Sequence, residues 1–313
     1  MKYLLLPFFT LSIFYHLTAQ NDNQLSMQDW QYPYDVHKIR FSDSLEIAYV
    51  DEGKGKCTLL FIHGLGSNLK AWSKNIDELK KDYRCIALDL PGYGKSSRGD
   101  YAFDMDFFAN AVRGFIDQLK LKNVVLIGHS MGGQIAVQTV LNSQEKLEKL
   151  ILTAPAGFET FTDKEKKWFQ NIYTPVVVKA TPETQIVKNF QLNFHRMPDD
   201  AQFMIDDRLL MRKTIEYDHY CNMMPRCVMG MLNQPIADQL PNIALPTLII
   251  FGENDLLIPN KFLHPSLTPL AVAKSGQERI PNSKVEMIPL AGHFVQWEKA
   301  EAVNALLFDF LKK

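Results

Sequence analysis

Short continuous apolar runs alternate along this chain with longer stretches whose apolar residues recur every three or four positions. The runs fall at 58–62, 85–88, 124–127, 150–152, 246–251 and 284–288. Runs of that length predict strands, and the continuously apolar ones predict strands covered on both faces. Between them, 104–119 carries Phe107, Phe108, Ala111, Val112, Phe115, Ile116 and Leu119 at helical spacing,. Helices are also expected at 72–80, 134–141 and 300–311, and an opening hairpin at 36–41 and 45–50 turns through Ser42, Asp43 and Ser44,. Strands alternating with amphipathic helices predict an α/β fold with a mostly parallel sheet and helices on both faces.

The alternation breaks after Pro155. Residues 157–238 hold no comparable strand series, but they hold several prolines and helix-like stretches such as 198–213. This segment is expected to be a helical cap, inserted into a core formed by 20–156 and 239–313. The charged run at 163–167 reads as a solvated helix face. The insertion also carries Met197, Met204, Met211, Met223, Met224, Met229 and Met231, seven of the chain's twelve methionines. Methionine fills irregular apolar space, so they read either as cap core or as the lining of a pocket.

Composition narrows the function classes. The chain has 34 Lys and Arg against 35 Asp and Glu, a formal net charge of -1. That balance offers no basic face for nucleic acid. The N-terminus reads as an export signal over residues 1–19: Lys2, an apolar stretch at 4–17, then the small-residue site Leu17-Thr18-Ala19,. The stretch is short for a bilayer span, so a cleaved signal, a periplasmic or extracellular location and no lasting membrane insertion are expected. The polar run 20–29 is expected to be a loose mature terminus. Of the four cysteines, Cys57 and Cys85 open apolar runs and read as buried thiols,. Cys221 and Cys227 are close enough in sequence for pairing to be an open question. No Cys/His spacing suits zinc, so no metal is expected.

The strongest chemical signal is Gly128-His129-Ser130-Met131-Gly132, directly after the run 124–127 and directly before a helix. A G-x-S-x-G there forms a tight strand-to-helix turn that exposes the serine above the sheet. The helix start adds positive potential where an oxyanion develops. A serine hydroxyl needs an adjacent base. Two downstream segments end strands at the same sheet edge: Phe251-Gly-Glu-Asn-Asp255 and Ala291-Gly-His293. Ser130 is therefore expected as nucleophile, His293 as general base and Asp255 as the acid orienting it. Glu253 is the nearest rival acid, and Glu159, after the sixth strand, a remoter one. His63-Gly64-Leu65-Gly66 ends the first parallel run. The backbone N–H groups of Leu65 and Met131 are expected to form an oxyanion hole, with His63 itself structural. Among the other histidines, His129 is expected to point away from Ser130, and His195, His219 and His264 fall in the cap or an exposed loop.

These segments, with Asp89-Leu-Pro-Gly-Tyr-Gly-Lys-Ser96 and Pro259, resemble the α/β-hydrolases, in the cap-bearing subgroup that includes small esterases and carbon–carbon bond hydrolases. The resemblance covers about residues 36–311. It implies eight strands with the cap inserted after the sixth, and a structural role for 89–96. It does not single out a substrate. The expected function is hydrolysis of a small or medium, largely apolar carboxylic ester through an acyl-enzyme, with no cofactor. Carbon–carbon bond hydrolysis of a diketone by the same residues is the alternative, and a non-catalytic binding protein on the same fold is the alternative of another class.

Overall fold

The computed structural model describes residues 25–313. The export signal expected over 1–19 lies outside the described residues. Eight strands form one sheet: β1 (His37–Arg40), β2 (Glu46–Glu52), β3 (Thr58–Ile62), β4 (Arg84–Leu88), β5 (Val124–His129), β6 (Leu147–Thr153), β7 (Thr247–Gly252) and β8 (Ser283–Ile288). Their spatial order is β1-β2-β4-β3-β5-β6-β7-β8. β2 runs antiparallel to β1 and β4, and every other pairing is parallel.

β3 shows why the runs are continuously apolar. All of its residues are buried. Leu60 and Ile62 enter one core, whereas Leu59 and Phe61 enter the other. The first core is covered by α2 (Met105–Gln118), α3 (Met131–Asn142) and α9 (Pro269–Arg279). The second is covered by α1 (Ser73–Leu79) and α11 (Ala300–Lys312), with the short α10 (Val295–Glu298) between sheet and C-terminus. In α2, Phe108, Val112, Phe115 and Ile116 face the core. Its first turn is closed by the Asp104 carboxylate, which accepts from Phe107 N at 2.8 Å,. α9 carries a start signal, Thr268 as cap followed by Pro269,, but its apolar stripe is too weak to stand out by periodicity.

Five helices stand between β6 and β7: α4 (Asp163–Ile172), α5 (Pro175–Ala180), α6 (Glu183–Gln191), α7 (Gln202–Met211) and α8 (Tyr217–Asn233). The interruption read after Pro155 is therefore a helical insertion, at the C-terminal edge of the sheet. The N-terminal run is not loose where it is described. Met27 and Trp30 are buried, Ser26 Oγ donates to Glu216 at 2.5 Å, and Ile215 N donates to Leu25 O at 3.0 Å. Apolar side chains hidden in that polar run tie it to the insertion and the core together. Tyr32 OH reaches Asp89 at 2.7 Å, and Asp89 also accepts from Leu69 N and Lys95 N. The 89–96 loop is thus held as structure around a buried carboxylate.

Cys221 and Cys227 are both free. They lie six residues apart in α8, about 9 Å along the helix axis, which exceeds what a disulfide spans.

Candidate active site

The turn from β5 into α3 places Ser130 at φ 55°, ψ -121°, a left-handed backbone rarely held by a side-chain-bearing residue,. Several hydrogen bonds over-determine it. Ser130 N donates to Thr153 O at 3.1 Å, and Ser130 O accepts from Gly133 N at 2.9 Å and Ala156 N at 3.0 Å. Glycines make the turn possible: a Cβ on Gly128 would strike the Gly132 carbonyl, and one on Gly132 would strike the carbonyls of Ile62 and His63,. The Ser130 hydroxyl makes no capping bond to the helix it starts.

Ser130 lines a cavity of about 520 Å³ together with Gly64, Leu65, His129, His293 and Phe294. His293 is 4% exposed, and its Nδ1 lies 2.8 Å from Asp255 Oδ2. Asp255 is 1% exposed. Its other oxygen accepts from Leu257 N at 2.8 Å and Ile258 N at 3.0 Å. The carboxylate is thus held by the chain beyond β7 and presents one oxygen to the imidazole. Held so, the imidazole carries its proton on Nδ1 and leaves Nε2 as an acceptor. Glu253, the rival acid, is exposed. Leu65 shares the cavity. Met131 opens α3, so its N–H has no carbonyl one turn earlier to bond,.

His63 is fully buried, with Nδ1 2.8 Å from Gly64 O and Nε2 accepting from Leu90 N at 3.0 Å. Both nitrogens serve the backbone, which makes it structural. His129 lies beside the site: Nε2 donates to His293 O at 3.0 Å, and its ring centroid is 4.8 Å from that of His293. Burial holds its pKa well below the ordinary histidine range, and His293 lowers it further,. A neutral His129 next to His293 supports the His293 backbone without adding a charge.

Glu159 meets a different histidine from the one at Asp255. Its carboxylate accepts from Asn260 N at 2.9 and 3.1 Å and lies 2.5 Å from His264 Nδ1. His264 Nε2 reaches Glu165 of α4 at 3.2 Å. His264 is therefore a bridge between the insertion and the core, where the sequence suggested only an exposed loop. No spacing rule announces such a cluster, since Glu159 and His264 are 105 residues apart. The methionines divide: Met231 lines the main cavity, Met224 an adjoining lobe of about 240 Å³, and Met204 and Met211 are buried in the insertion. Arg208 lines that lobe too, with its guanidinium 3.9 Å from the Tyr220 ring and one terminal nitrogen buried without a partner among the described residues. A single basic residue in a helical segment gives no sequence signal.

A strained serine turn at the C-terminal edge of a mostly parallel sheet, facing a histidine held by a buried aspartate, is the architecture of a hydrolase. The chain belongs to the α/β hydrolase fold family, whose model matches residues 58–300. It is 28% identical to a 2-hydroxy-6-oxononadienedioate/2-hydroxy-6-oxononatrienedioate hydrolase of Paraburkholderia phymatum, over 88% of this chain and 94% of that protein. It is 29% identical to the dihydrolipoyllysine-residue acetyltransferase component of the acetoin cleaving system of Cupriavidus necator, over 85% of this chain but 66% of that protein. Among solved structures it resembles a bacterial membrane phospholipase A, with a TM-score of 0.72 at 26% identity, covering 89% of this chain and 86% of the other.

Proposed function

We propose that this hydrolase cleaves a small or medium, largely apolar carboxylic ester through Ser130, His293 and Asp255. One observation carries the reading: Ser130, strained and free of capping bonds, shares a largely apolar cavity with a histidine whose far nitrogen is held by a buried carboxylate. His293 Nε2 takes the Ser130 proton as the hydroxyl attacks the carbonyl carbon. Leu65 and Met131 N–H groups receive the oxyanion. The tetrahedral adduct collapses, the alcohol leaves with the proton from His293, and an acyl-enzyme remains. Water, deprotonated by the same imidazole, releases the acid and restores Ser130. Asp255 keeps the proton on Nδ1 and stabilises the imidazolium. Residues 157–238 act as the cap over this cavity, and the segment 1–19 exports the chain. Cell fractionation tests the export, which a protein confined to the cytoplasm sinks; N-terminal sequencing of the exported protein tests the cleavage, with a start at Gln20 expected and a start at Met1 sinking it.

The resemblance to a phospholipase A supports the ester reading. A second reading, carbon–carbon bond hydrolysis, is favoured by Arg208. A guanidinium lining the lobe beside the cavity suits a substrate carboxylate,. The curated relative's substrate is, by its name, a dicarboxylate bearing a ketone.

A fluorophosphonate probe should label the wild type and not Ser130→Ala, and Ser130→Ala should lose turnover of aryl esters while keeping its fold. An unlabelled wild type points to the binding-protein class and sinks the reading. Esters of graded acyl length, run beside a diketone, decide between the two bonds.

A further inference from the structure

The cavity's polar end has a sign. Phe161, Phe169, Met231, Leu232 and Leu257 make its wall apolar, and Glu159 lies among them. The Glu159 side chain is 6% exposed. Among the described residues, Oε1 is engaged by His264 and Asn260 N, whereas Oε2 receives only the longer Asn260 contact at 3.1 Å. A carboxylate oxygen has two lone pairs, so Oε2 retains acceptor capacity beside the cavity.

The neighbouring charges do not cancel this carboxylate. His264 is shared between Glu159 and Glu165, so even a protonated imidazole leaves that trio one charge negative. Asp238 lines the cavity as a second acid. Among the described residues, the Lys or Arg that lines it is Lys166, whose ammonium lies 3.7 Å from Asp163 one turn back on α4. Burial raises the Glu159 pKa above the ordinary carboxylate range, against the pull of His264 and Asn260, and Asp255 adds to the rise. That is the behaviour of a carboxyl group facing apolar space and other negative charge.

We propose that Glu159 is a specificity-determining residue, making this end of the cavity accept neutral or cationic groups that donate a hydrogen bond and reject a substrate carboxylate. The proposal rests on the serine-hydrolase reading and narrows its substrate class. A substrate with a carboxylate at each end, like the dioate for which one relative is named, is then disfavoured wherever a carboxylate meets this wall. Like charges at close range in a poorly solvated site cost orders of magnitude in affinity.

The test is a pair of substrate series run at pH 8. Nitrophenyl hexanoate, 6-hydroxyhexanoate and the adipate half-ester vary the acyl side. Phenyl acetates with and without a ring carboxylate vary the alcohol side. In at least one series the wild type should favour the neutral ester over its carboxylate twin by about tenfold or more in kcat/KM. Glu159→Gln should shrink that gap about tenfold, whereas His264→Gln, which keeps the Glu159 carboxyl group, should preserve it. Equal rates for neutral and anionic esters in both series of the wild type overturn the proposal, and so does an unchanged gap in a folded Glu159→Gln. Fluorophosphonate labelling run in parallel reports the underlying reading. An unlabelled wild type overturns that reading and this proposal with it, whereas a labelled enzyme without the gap overturns the proposal alone.

Discussion

Replacing Asp255 by asparagine separates the chemistry of this site from its stability. The asparagine side chain would keep an oxygen for Leu257 N and Ile258 N, which Asp255 Oδ1 now serves at 2.8 and 3.0 Å. Its amide NH₂ would then face His293 Nδ1 in place of Asp255 Oδ2, now 2.8 Å away. Two donors cannot share that contact, so the imidazole proton moves to Nε2, where it can no longer accept from Ser130. In serine triads this wrong tautomer costs about 10⁴ in kcat, equivalent to about 5 kcal/mol of transition-state stabilisation. The fold exchanges a hydrogen bond to a charged group for a neutral one, a net cost of about 1 kcal/mol. Asp255→Ala differs, because it strands two backbone donors and an imidazole in a site 1% exposed. Each stranded group costs about 1–3 kcal/mol, so the alanine variant should melt well below the asparagine variant. Aryl-ester turnover at saturation and thermal unfolding by circular dichroism measure the two effects. A folded Asp255→Asn that keeps kcat within about tenfold of wild type would falsify the assignment of Asp255 as the orienting acid.

Other perturbations test the surrounding structure. Gly128→Ala drives a Cβ into the Gly132 carbonyl, which is backbone and cannot swing aside; a loss of about 3 kcal/mol or more is expected in thermal unfolding, and a melting point matching the wild type refutes the turn geometry. His264 links α4 to the core. Burial alone would lower its pKa, but its bonds and charges with Glu159 and Glu165 outweigh burial and raise it. A raised folded pKa means stabilisation fully present below the unfolded value of about 6.5 and lost as pH rises through the folded one. Glu159, also raised, has the same sign, but its loss of stability begins lower, at its own unfolded value of about 4.3. The melting temperature should therefore fall on going from pH 6 upward, and His264→Gln should flatten that slope; parallel slopes in both proteins contradict the bridge. Burial pushes the Cys85 and Cys227 thiols up to about 12. Native protein at pH 8 should therefore leave both unalkylated by iodoacetamide while denatured protein takes up label on both, and rapid native labelling of either thiol rules out the packing described.

What the chain determines locally was legible from residue order. A strand buried on both faces must be apolar at every position, which is why 58–62 and 124–127 announced the centre of the sheet. The serine turn was legible because its geometry is met within a few residues: glycines at 128, 132 and 133 relieve clashes that any side chain there would create. The convergence of Ser130, Asp255 and His293 on one edge followed from topology, since parallel strands end on the same side. α9 leaves little trace in the sequence because a helix resting on the sheet with few buried residues shows little periodicity. In the run 20–29 expected to be loose, the described residues 25–29 are held instead, because Met27, and Trp30 just beyond, are single apolar anchors whose partners in the core and the insertion are remote in sequence. The cavity belongs to tertiary structure alone. Glu159, Glu165 and His264 meet only because β7 and its following loop fold back beside the insertion. Arg208 borders the adjoining lobe only through the packing of the inserted helices. Local sequence determined what the serine is; packing between distant segments decided what charge and shape surround the bond it meets.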